Sequence, residues 1–192
     1  MRKIGIYGGT FDPIHHGHLI LAREALEMLG LEKLIFVPAA VSPHKIVRTP
    51  THANSRVEML QAALMGEPGF FLDQCELRRG APSYTIDTVE EIRQREGAAE
   101  YFFLIGDDNL ARLETWHRFN ELRQLVQFVV LSRGNAEAEK IQPRYPVIHR
   151  QINISATDIR NRVATGHSIS YLVPPSVEEI IRRRQIYQEQ DK

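Results

Sequence analysis

The sequence is poor in the features that mark secreted and membrane proteins. Among its 192 residues Cys75 is the one cysteine, so no disulfide can form within the chain. Secreted domains often depend on disulfides, and this scarcity therefore favours a reducing compartment. No apolar run approaches the roughly 18 residues of a membrane-spanning helix, and the run near the N-terminus is too short for a signal peptide. We therefore predict a cytoplasmic protein without a membrane partner.

The chain also lacks an excess of charge of either sign. It holds 24 lysines and arginines against 24 aspartates and glutamates, so its formal net charge is zero. Such a chain has no overall field to attract a nucleic-acid backbone. We expect no nucleic-acid partner, and we interpret the run Arg182–Arg184 as a solvated helix face.

No internal repeat or low-complexity tract is present, and short apolar runs instead alternate with segments of helical spacing. This alternation predicts a doubly wound, Rossmann-like α/β fold, with a parallel sheet and helices on both faces. The six apolar runs are Lys3–Gly8, Lys33–Pro38, a run within Gly69–Leu77, Glu100–Gly106, Gln127–Gly134 and Pro146–Arg150.

Beyond residue 150 the alternation stops, because two helical segments follow one another with no strand between them. We predict a single domain over residues 1–192, with a core over 1–150 and a small C-terminal helical subdomain over 151–192. The sequence does not indicate an oligomeric state.

Local signals place several helix ends. Gly30 is predicted to end the first helix. Ser55 and Glu58 are spaced as a capping box for the second helix, and Ser155 with Asp158 as a weaker one near the C-terminus.

In parallel α/β sheets, ligands bind outside the carboxyl ends of the strands, so the loops there are the candidates for a site. The first of them reads "GGTFDPIHHGH" and places three of the chain's eight histidines within four positions. Gly8 and Gly9 let a ligand approach the backbone, and Thr10 adds a hydroxyl. His15 and His18 stand at the start of a helix, where amides and imidazoles suit phosphate. This loop predicts a phosphate site.

Two histidines three residues apart could instead ligate zinc, as in a metal hydrolase. No cysteine or carboxylate cluster accompanies them, and we predict no dedicated metal site. The dinucleotide fingerprint and the Walker A pattern are both absent.

The same loop resembles the G-x-F-D-P-x-H-x-G-H signature of a nucleotidyltransferase superfamily. Four further segments, in the same order along the chain, are similar to those of bacterial nicotinate-mononucleotide adenylyltransferases. They are "PAAVSPHK" at 38–45, "SYTIDT" at 83–88, "IGDDNL" at 105–110 followed by Trp116, and "ISATDIR" at 154–160. Ala156 stands where the family usually has a second serine.

The resemblance implies that ATP and nicotinate mononucleotide react to give nicotinate adenine dinucleotide and pyrophosphate, in NAD biosynthesis, with Mg²⁺ accompanying ATP. It implies catalytic roles for His15, His18, Lys45 and Arg160. The residues expected to bind ATP are Gly8, Gly9, Thr10, His15, His18, Gly106, Asp108, Ser155, Thr157 and Arg160. Those expected to bind nicotinate mononucleotide are Lys45, Tyr84, Thr85, Trp116 and Arg133.

Within this family pattern, Asp108 is expected on a ribose hydroxyl and Gly106 is expected to let that ribose come close. Trp116 is expected beside the pyridine ring, although a lone tryptophan is often a core residue. Thr85 begins a helix whose amides could accept the nicotinate carboxylate. A site of that kind would disfavour the uncharged amide.

Three alternatives stay open at this point. The chain could be another small adenylyltransferase, such as the phosphopantetheine enzyme, or one that prefers nicotinamide mononucleotide. It could also be a nucleotide-binding regulator without catalysis, or a metal hydrolase that uses the histidine cluster.

Overall fold

A computed structural model of the chain describes residues 1–40, 50–79, 82–134 and 144–188. Within these ranges six strands form one parallel sheet in the order β3-β2-β1-β4-β5-β6. The predicted fold class is confirmed. The strands are β1 (Lys3–Gly9), β2 (Lys33–Pro38), β3 (Phe70–Leu72), β4 (Glu100–Gly106), β5 (Gln127–Ser132) and β6 (Val147–His149).

Helices cover both faces of the sheet. They are α1 (His16–Met28), α2 (Ala53–Leu64), α3 (Cys75–Arg79), α4 (Thr85–Glu96), a 3-10 helix (Asp107–Thr115), α5 (Phe119–Leu125), α6 (Ala156–Ala164) and α7 (Pro175–Arg183). In the described ranges, no helix is long and apolar enough to cross a membrane.

Alternate residues of each central strand point into two separate cores. On one face, Tyr7, Phe36 and Leu104 pack against α1, α2, α6 and α7. On the other face, Ile6 and Phe103 pack against α3, α4, the 3-10 helix and α5. Because both faces are buried, the strands read as nearly continuous apolar runs. We call these two clusters the first core and the second core.

The C-terminal helices are part of the first core. Ile159 of α6 and Ile180 of α7 belong to the same buried cluster as Tyr7 of β1. The structure thus joins residues 151–188 to the sheet through shared apolar packing. The division at residue 150 stays a prediction.

The predicted helix ends have mixed outcomes. Gly30 follows the end of α1 with φ of 62°, and Ser155 caps α6 by accepting from the Asp158 amide at 3.1 Å, so both predictions are confirmed. The capping box at Ser55 and Glu58 is wrong. Helix α2 begins at Ala53 after His52, so Ser55 already lies inside its first turn.

Candidate active site

A cavity of about 510 Å³ opens at the carboxyl edge of the sheet, where β1 lies between β2 and β4. Chain connections leave β1 and β4 in opposite directions along the sheet, and ligands bind at such a switch point in open α/β sheets. All ten residues predicted to bind ATP line this cavity, and so does Arg133. The ten are Gly8, Gly9, Thr10, His15, His18, Gly106, Asp108, Ser155, Thr157 and Arg160.

His15 and His18 form a stacked pair in the wall of the cavity. Their ring centroids lie 3.7 Å apart, with 24° between the ring planes. The edge of Phe11 packs against His18 at 5.2 Å. His15 is fully buried, and neither of its ring nitrogens bonds to another residue in the described ranges. A buried polar group without a partner costs roughly 1–3 kcal/mol, so this imidazole is suited to a ligand in the cavity.

Burial keeps His15 uncharged at neutral pH. Loss of solvent lowers the pKa of His15 to about 3, and the nearby charges of Arg133 and His16 act in the same direction. The sequence argument allowed an imidazole that carries charge near neutrality, whereas the structure favours a neutral ring before any ligand binds. A neutral imidazole still donates one N–H, and a neutral ring stacks without charge repulsion.

The depressed pKa of His15 predicts a pH-dependent stability. In the unfolded chain an ordinary histidine gains a proton below about pH 6.5, whereas folded His15 stays neutral down to about pH 3. Acid therefore favours the unfolded state, and the free energy of unfolding should fall by up to about 1.4 kcal/mol per pH unit below pH 6.5. Thermal unfolding of the wild type and His15→Asn at pH 7.5, 6.5 and 5.5 measures this. Identical pH slopes in the two proteins would contradict it.

The absence of a side chain at Gly17 leaves room for the His15 ring. A Cβ atom on Gly17 would lie 3.0 Å from His15 Nδ1 and 3.1 Å from His15 Cε1. Such contacts are tighter than ordinary van der Waals contact, so the ring would have to shift by a few tenths of an ångström. The glycine between the two histidines therefore serves their geometry.

The start of α1 is less open than the sequence suggested. The His16 amide donates to the Leu172 carbonyl at 3.0 Å, and the His18 amide donates to the His15 carbonyl at 2.9 Å. Two amides of the first turn are thus engaged within the protein. The side chains of His15 and His18 line the cavity beside these engaged amides.

Arg160 links the start of α6 to the first loop. Its Nη1 donates to the Asp12 carbonyl at 2.7 Å, and its Nη2 donates to Thr157 Oγ1 at 3.0 Å. Its Nε is buried without a hydrogen-bond partner in the described residues. The guanidinium is therefore held at the cavity wall with donor capacity left for a ligand.

The two aspartates that follow β4 differ in their contacts. Asp107 accepts from Ser132 Oγ at 3.1 Å, whereas Asp108 lines the cavity and accepts from Asn109 Nδ2 at 2.9 Å. A Cβ on Gly106 would lie 2.5 Å from Asp108 Oδ1. We expected Gly106 to admit a ribose. The structure adds a second reason for a glycine at this position, since a side chain there would collide with the Asp108 carboxylate.

The residues predicted for nicotinate mononucleotide are not gathered in one place. Arg133 lines the cavity and donates to the Ile154 carbonyl at 3.0 Å. Trp116 lies against the second core, with its ring 6.0 Å from Phe103. The rings of Tyr84 and His117 make a tilted contact with their centroids 4.2 Å apart, and Thr85 begins α4. Lys45 lies outside the described residues.

Sequence reasoning missed two polar residues around the first loop. Tyr187 donates from its hydroxyl to Asp12 Oδ1 at 2.6 Å, and burial raises the pKa of that hydroxyl. Arg56 is 1% exposed and bonds to three backbone carbonyls. Arg56 shares the buried side of α2 with Leu60 and Ala63, and an arginine at helical spacing with apolar residues was the available signal.

The donor set suits phosphate better than a bare metal ion. In the part of the chain that the structure describes, no three histidine, cysteine, aspartate or glutamate side chains come together as metal ligands. The cavity presents imidazoles, hydroxyls, a guanidinium and backbone amides instead. These groups bind and neutralise phosphate oxygens.

Comparisons with known proteins identify relatives of the chain. A sequence model described as cytidylyltransferase-like matches residues 6–162. The probable nicotinate-nucleotide adenylyltransferase of Shouchella clausii is 43% identical over 187 residues, which cover 97% of each chain. The nicotinate-nucleotide adenylyltransferase of Bacillus subtilis is 38% identical over 188 residues, 98% of this chain and 100% of that one.

A solved structure shares the fold. The Plasmodium falciparum nicotinic acid mononucleotide adenylyltransferase complexed with NaAD superimposes with a TM-score of 0.78. The alignment covers 97% of this chain and 98% of that one, at 19% sequence identity. At this identity the likeness concerns the fold.

Proposed function

The chain belongs to the nicotinate-nucleotide adenylyltransferases and transfers the adenylyl group of ATP to nicotinate mononucleotide, and we propose that this transfer takes place in the carboxyl-edge cavity. The observation that carries the proposal is the stacked pair of His15 and His18 in the cavity wall. A buried imidazole without a partner in the described protein is costly unless a ligand engages it. Phosphate oxygens match its N–H donor.

The reaction requires positioning more than proton transfer. An oxygen of the mononucleotide phosphate attacks the α-phosphorus of ATP in line, and a new P–O bond forms. The bond from that phosphorus to the bridging oxygen breaks, and its electron pair leaves with pyrophosphate. A phosphate is already an anionic nucleophile, so no general base is needed. Catalysis then consists of alignment and stabilisation of charge on the transferring group.

We assign the stacked histidines to the α-phosphate. Both rings line the same cavity as the glycine loop of β1 and the start of α6, so they would meet the oxygens of a phosphate held there. Negative charge beside His15 would raise its pKa and oppose the effect of burial. The imidazole would therefore bind charge most strongly as charge builds up on the phosphate.

The remaining cavity residues suit the rest of ATP. Thr10 and the backbone of Gly8 and Gly9 would support the phosphates from the first loop. Ser155, Thr157 and Arg160 would hold the β- and γ-phosphates at the start of α6, where the helix dipole favours anions. Asp108 would accept from the ribose hydroxyls, since a carboxylate beside a β-strand end is a common ribose partner.

Magnesium fits this site as a companion of ATP. The described residues offer no cage of carboxylates, and Mg²⁺ is usually held by substrate phosphates and water with few protein ligands. The ion would neutralise part of the charge on the phosphates when bound. Among the described residues of the cavity lining, the carboxylates are Asp108 and the buried Asp12, whose carboxylate bonds to Thr51 and Tyr187.

Nicotinate mononucleotide would enter from the other side of the loop. Arg133, with Lys45, is our choice for its phosphate. Gly8 lines the cavity, and a Cβ there would lie 3.2 Å from Phe103, the ring against which Trp116 packs. Trp116 thus lies one aromatic ring beyond the cavity wall, within reach of a nucleotide that crosses Gly8. Tyr84 and Thr85 would complete the pyridine side, with the first amides of α4 on the carboxylate.

Trp116→Ala is expected to raise KM for nicotinate mononucleotide by about 10-fold, because a lost aromatic stacking partner costs roughly 0.5–1.5 kcal/mol. The KM for ATP should change little. Steady-state kinetics with each substrate varied in turn measures both constants. An increase confined to KM for ATP would show that the pyridine site lies elsewhere.

Cys75 fits a reducing compartment, which we propose to be the cytoplasm. It is buried in the second core, and burial raises the pKa of its thiol to about 12. The thiol therefore stays protonated and unreactive near neutral pH.

Pyrophosphate release in the presence of ATP and Mg²⁺ tests the proposed function. Nicotinate mononucleotide, nicotinamide mononucleotide and phosphopantetheine are compared at equal concentration. Strong preference for the acid supports the reaction and the role of Thr85. Preference for the amide would overturn the pyridine-site assignment, and ATP binding without release would indicate a regulator.

A further inference from the structure

Arg56 is a buried cation, and its three donor nitrogens each donate a hydrogen bond to a different backbone carbonyl. Its Nη1 donates to Thr10 at 2.8 Å, its Nη2 to Ala39 at 2.9 Å, and its Nε to Thr51 at 3.0 Å. The side chain leaves the first turn of α2 and is 1% exposed. One guanidinium therefore joins three segments that are distant in sequence.

Two of those three residues, Thr10 and Ala39, line the cavity. Thr10 belongs to the glycine loop after β1, and Ala39 directly follows β2. Thr51 precedes α2, next to the cavity residue Pro50. Arg56 thus ties the glycine loop to the chain on both flanks of residues 41–49.

Neighbouring polar groups hold the same backbone. Glu76 of α3 accepts from the Ala40 amide, which belongs to the peptide unit whose carbonyl Arg56 binds, and Glu76 also accepts from Thr88 Oγ1 at 2.9 Å. Asp12 accepts from the Thr51 amide at 3.1 Å. On each flank of residues 41–49, one backbone N–H and one backbone carbonyl are therefore hydrogen-bonded to buried side chains.

Packing alone does not account for this arginine. In the described residues no salt bridge joins Arg56 to a carboxylate, so its charge is met by carbonyl dipoles and by more distant acids. A buried charge without an ion pair is costly, and apolar side chains of similar volume often stabilise a fold better. Lysine could not replace it either, since one ammonium cannot match three separated acceptors.

We propose that Arg56 is a positioning residue for adenylyl transfer. It fixes the glycine loop against both flanks, so that Thr10 and the stacked histidines meet the transferring phosphate at reactive distance. This inference rests on the proposed function, because it assigns the cavity to the reacting phosphates. The claim concerns geometry at the transition state, since a small misplacement of reacting groups lowers rate more than it lowers affinity.

Arg56→Lys tests the proposal, with Arg93→Lys as the matched control. Arg93 is a partly buried arginine that donates to the Leu125 carbonyl at 2.8 Å and packs on Tyr101, remote from the cavity lining. Arg56→Lys is expected to lower kcat by about 10- to 100-fold and to change KM for nicotinate mononucleotide less than 3-fold. Arg93→Lys should keep the wild-type kcat. Circular dichroism and thermal unfolding establish the folded fraction at the assay temperature.

A double-mutant cycle with His18→Ala separates positioning from simple loss of stability. If Arg56 acts through the phosphate donors, the lysine substitution should cost much less in the His18→Ala background than in the wild type. Losses that multiply would overturn the proposal. As a second variant, Arg56→Ala should regain part of its kcat with millimolar guanidinium but not with methylammonium.

Two further results would also overturn the inference while leaving the proposed function intact. One is wild-type kcat in folded Arg56→Lys. The other is failure of both Arg56 variants to fold, which would show that Arg56 is required for the stability of the fold. Absence of pyrophosphate release by the wild-type protein would instead contradict the proposed function itself.

Discussion

His18→Ala is expected to lower kcat by ~10²–10³-fold while the fold stays intact, the usual loss when a donor to transition-state charge is removed. His18 lies at the cavity wall with its ring stacked on His15 at 3.7 Å. Alanine removes the N–H donor and also one side of the stack, so the His15 ring loses its partner as well. Pyrophosphate release at saturating ATP and nicotinate mononucleotide measures kcat.

His16→Ala is the matched control for that loss. His16 directly follows His15, and its backbone amide donates to the Leu172 carbonyl, a hydrogen bond that alanine retains. Its side chain is not in the cavity lining. We expect kcat within about 3-fold of the wild type, since surface changes away from the site have small effects. Equal kcat losses in His16→Ala and His18→Ala would remove the special role of the stacked pair.

Gly17→Ala is expected to lower kcat by about 10-fold without destabilising the protein. The new Cβ would lie 3.0 Å from His15 Nδ1, so the ring must shift by a few tenths of an ångström. A 1 Å misplacement of a reacting group can cost about 100-fold in rate, and this smaller shift of a proposed phosphate donor should cost less. Alanine is also more favourable than glycine within a helix by about 1 kcal/mol, which offsets the strain of the contact. Turnover and the midpoint of thermal unfolding are measured on the same preparation.

The combination of lower activity and unchanged stability is the informative result for Gly17. The His16→Ala variant again serves as control, because it changes the neighbouring position of the same helix. If Gly17→Ala keeps its activity, the His15 ring is not held by this contact. If it loses stability and activity together, strain in the fold accounts for the effect.

The strand pattern and the cavity edge were predictable because each depends on local sequence. Alternating apolar runs predicted all six strands, and the rule for parallel sheets pointed to all the loops at the carboxyl ends of the strands. Residues that follow β1, β2, β4 and β5 do line the cavity. The loop at residues 8–18 holds its candidate phosphate donors, Thr10, His15 and His18, within one short stretch of sequence. The ten residues predicted to bind ATP accordingly lie around one cavity.

Elements that depend on tertiary contacts were not predictable in the same way. Ser55 was expected to begin α2, but the chain is already held at Thr51 by Asp12 and Arg56, and the helix begins two residues earlier, at Ala53. Tertiary hydrogen bonds thus prevailed over a local capping signal. The 3-10 helix and α5 are short and lack a clear period, which left residues 107–125 without a prediction of helix.

Arg56 shows the same limit at the site. Its partners Thr10 and Ala39 are 46 and 17 residues away in sequence, so no local motif records the contact. Trp116 packs on the second core, whereas His18 contacts Tyr7 of the first core, so the two residues lie on opposite faces of the sheet. Motif spacing does not show on which face each residue lies. The mononucleotide side of the site therefore depends on the proposed path across Gly8.

The most direct test of the central claim separates ATP binding from the chemical step in His18→Ala. Calorimetry gives the Kd for ATP with Mg²⁺, and rapid quench with excess enzyme gives the single-turnover rate of nicotinate adenine dinucleotide formation. If the stacked histidines stabilise the transferring phosphate, the rate falls ~10²–10³-fold and the Kd changes less than 10-fold. An unchanged rate with a Kd weakened by the whole factor would contradict the account, because the histidines would then only hold ATP.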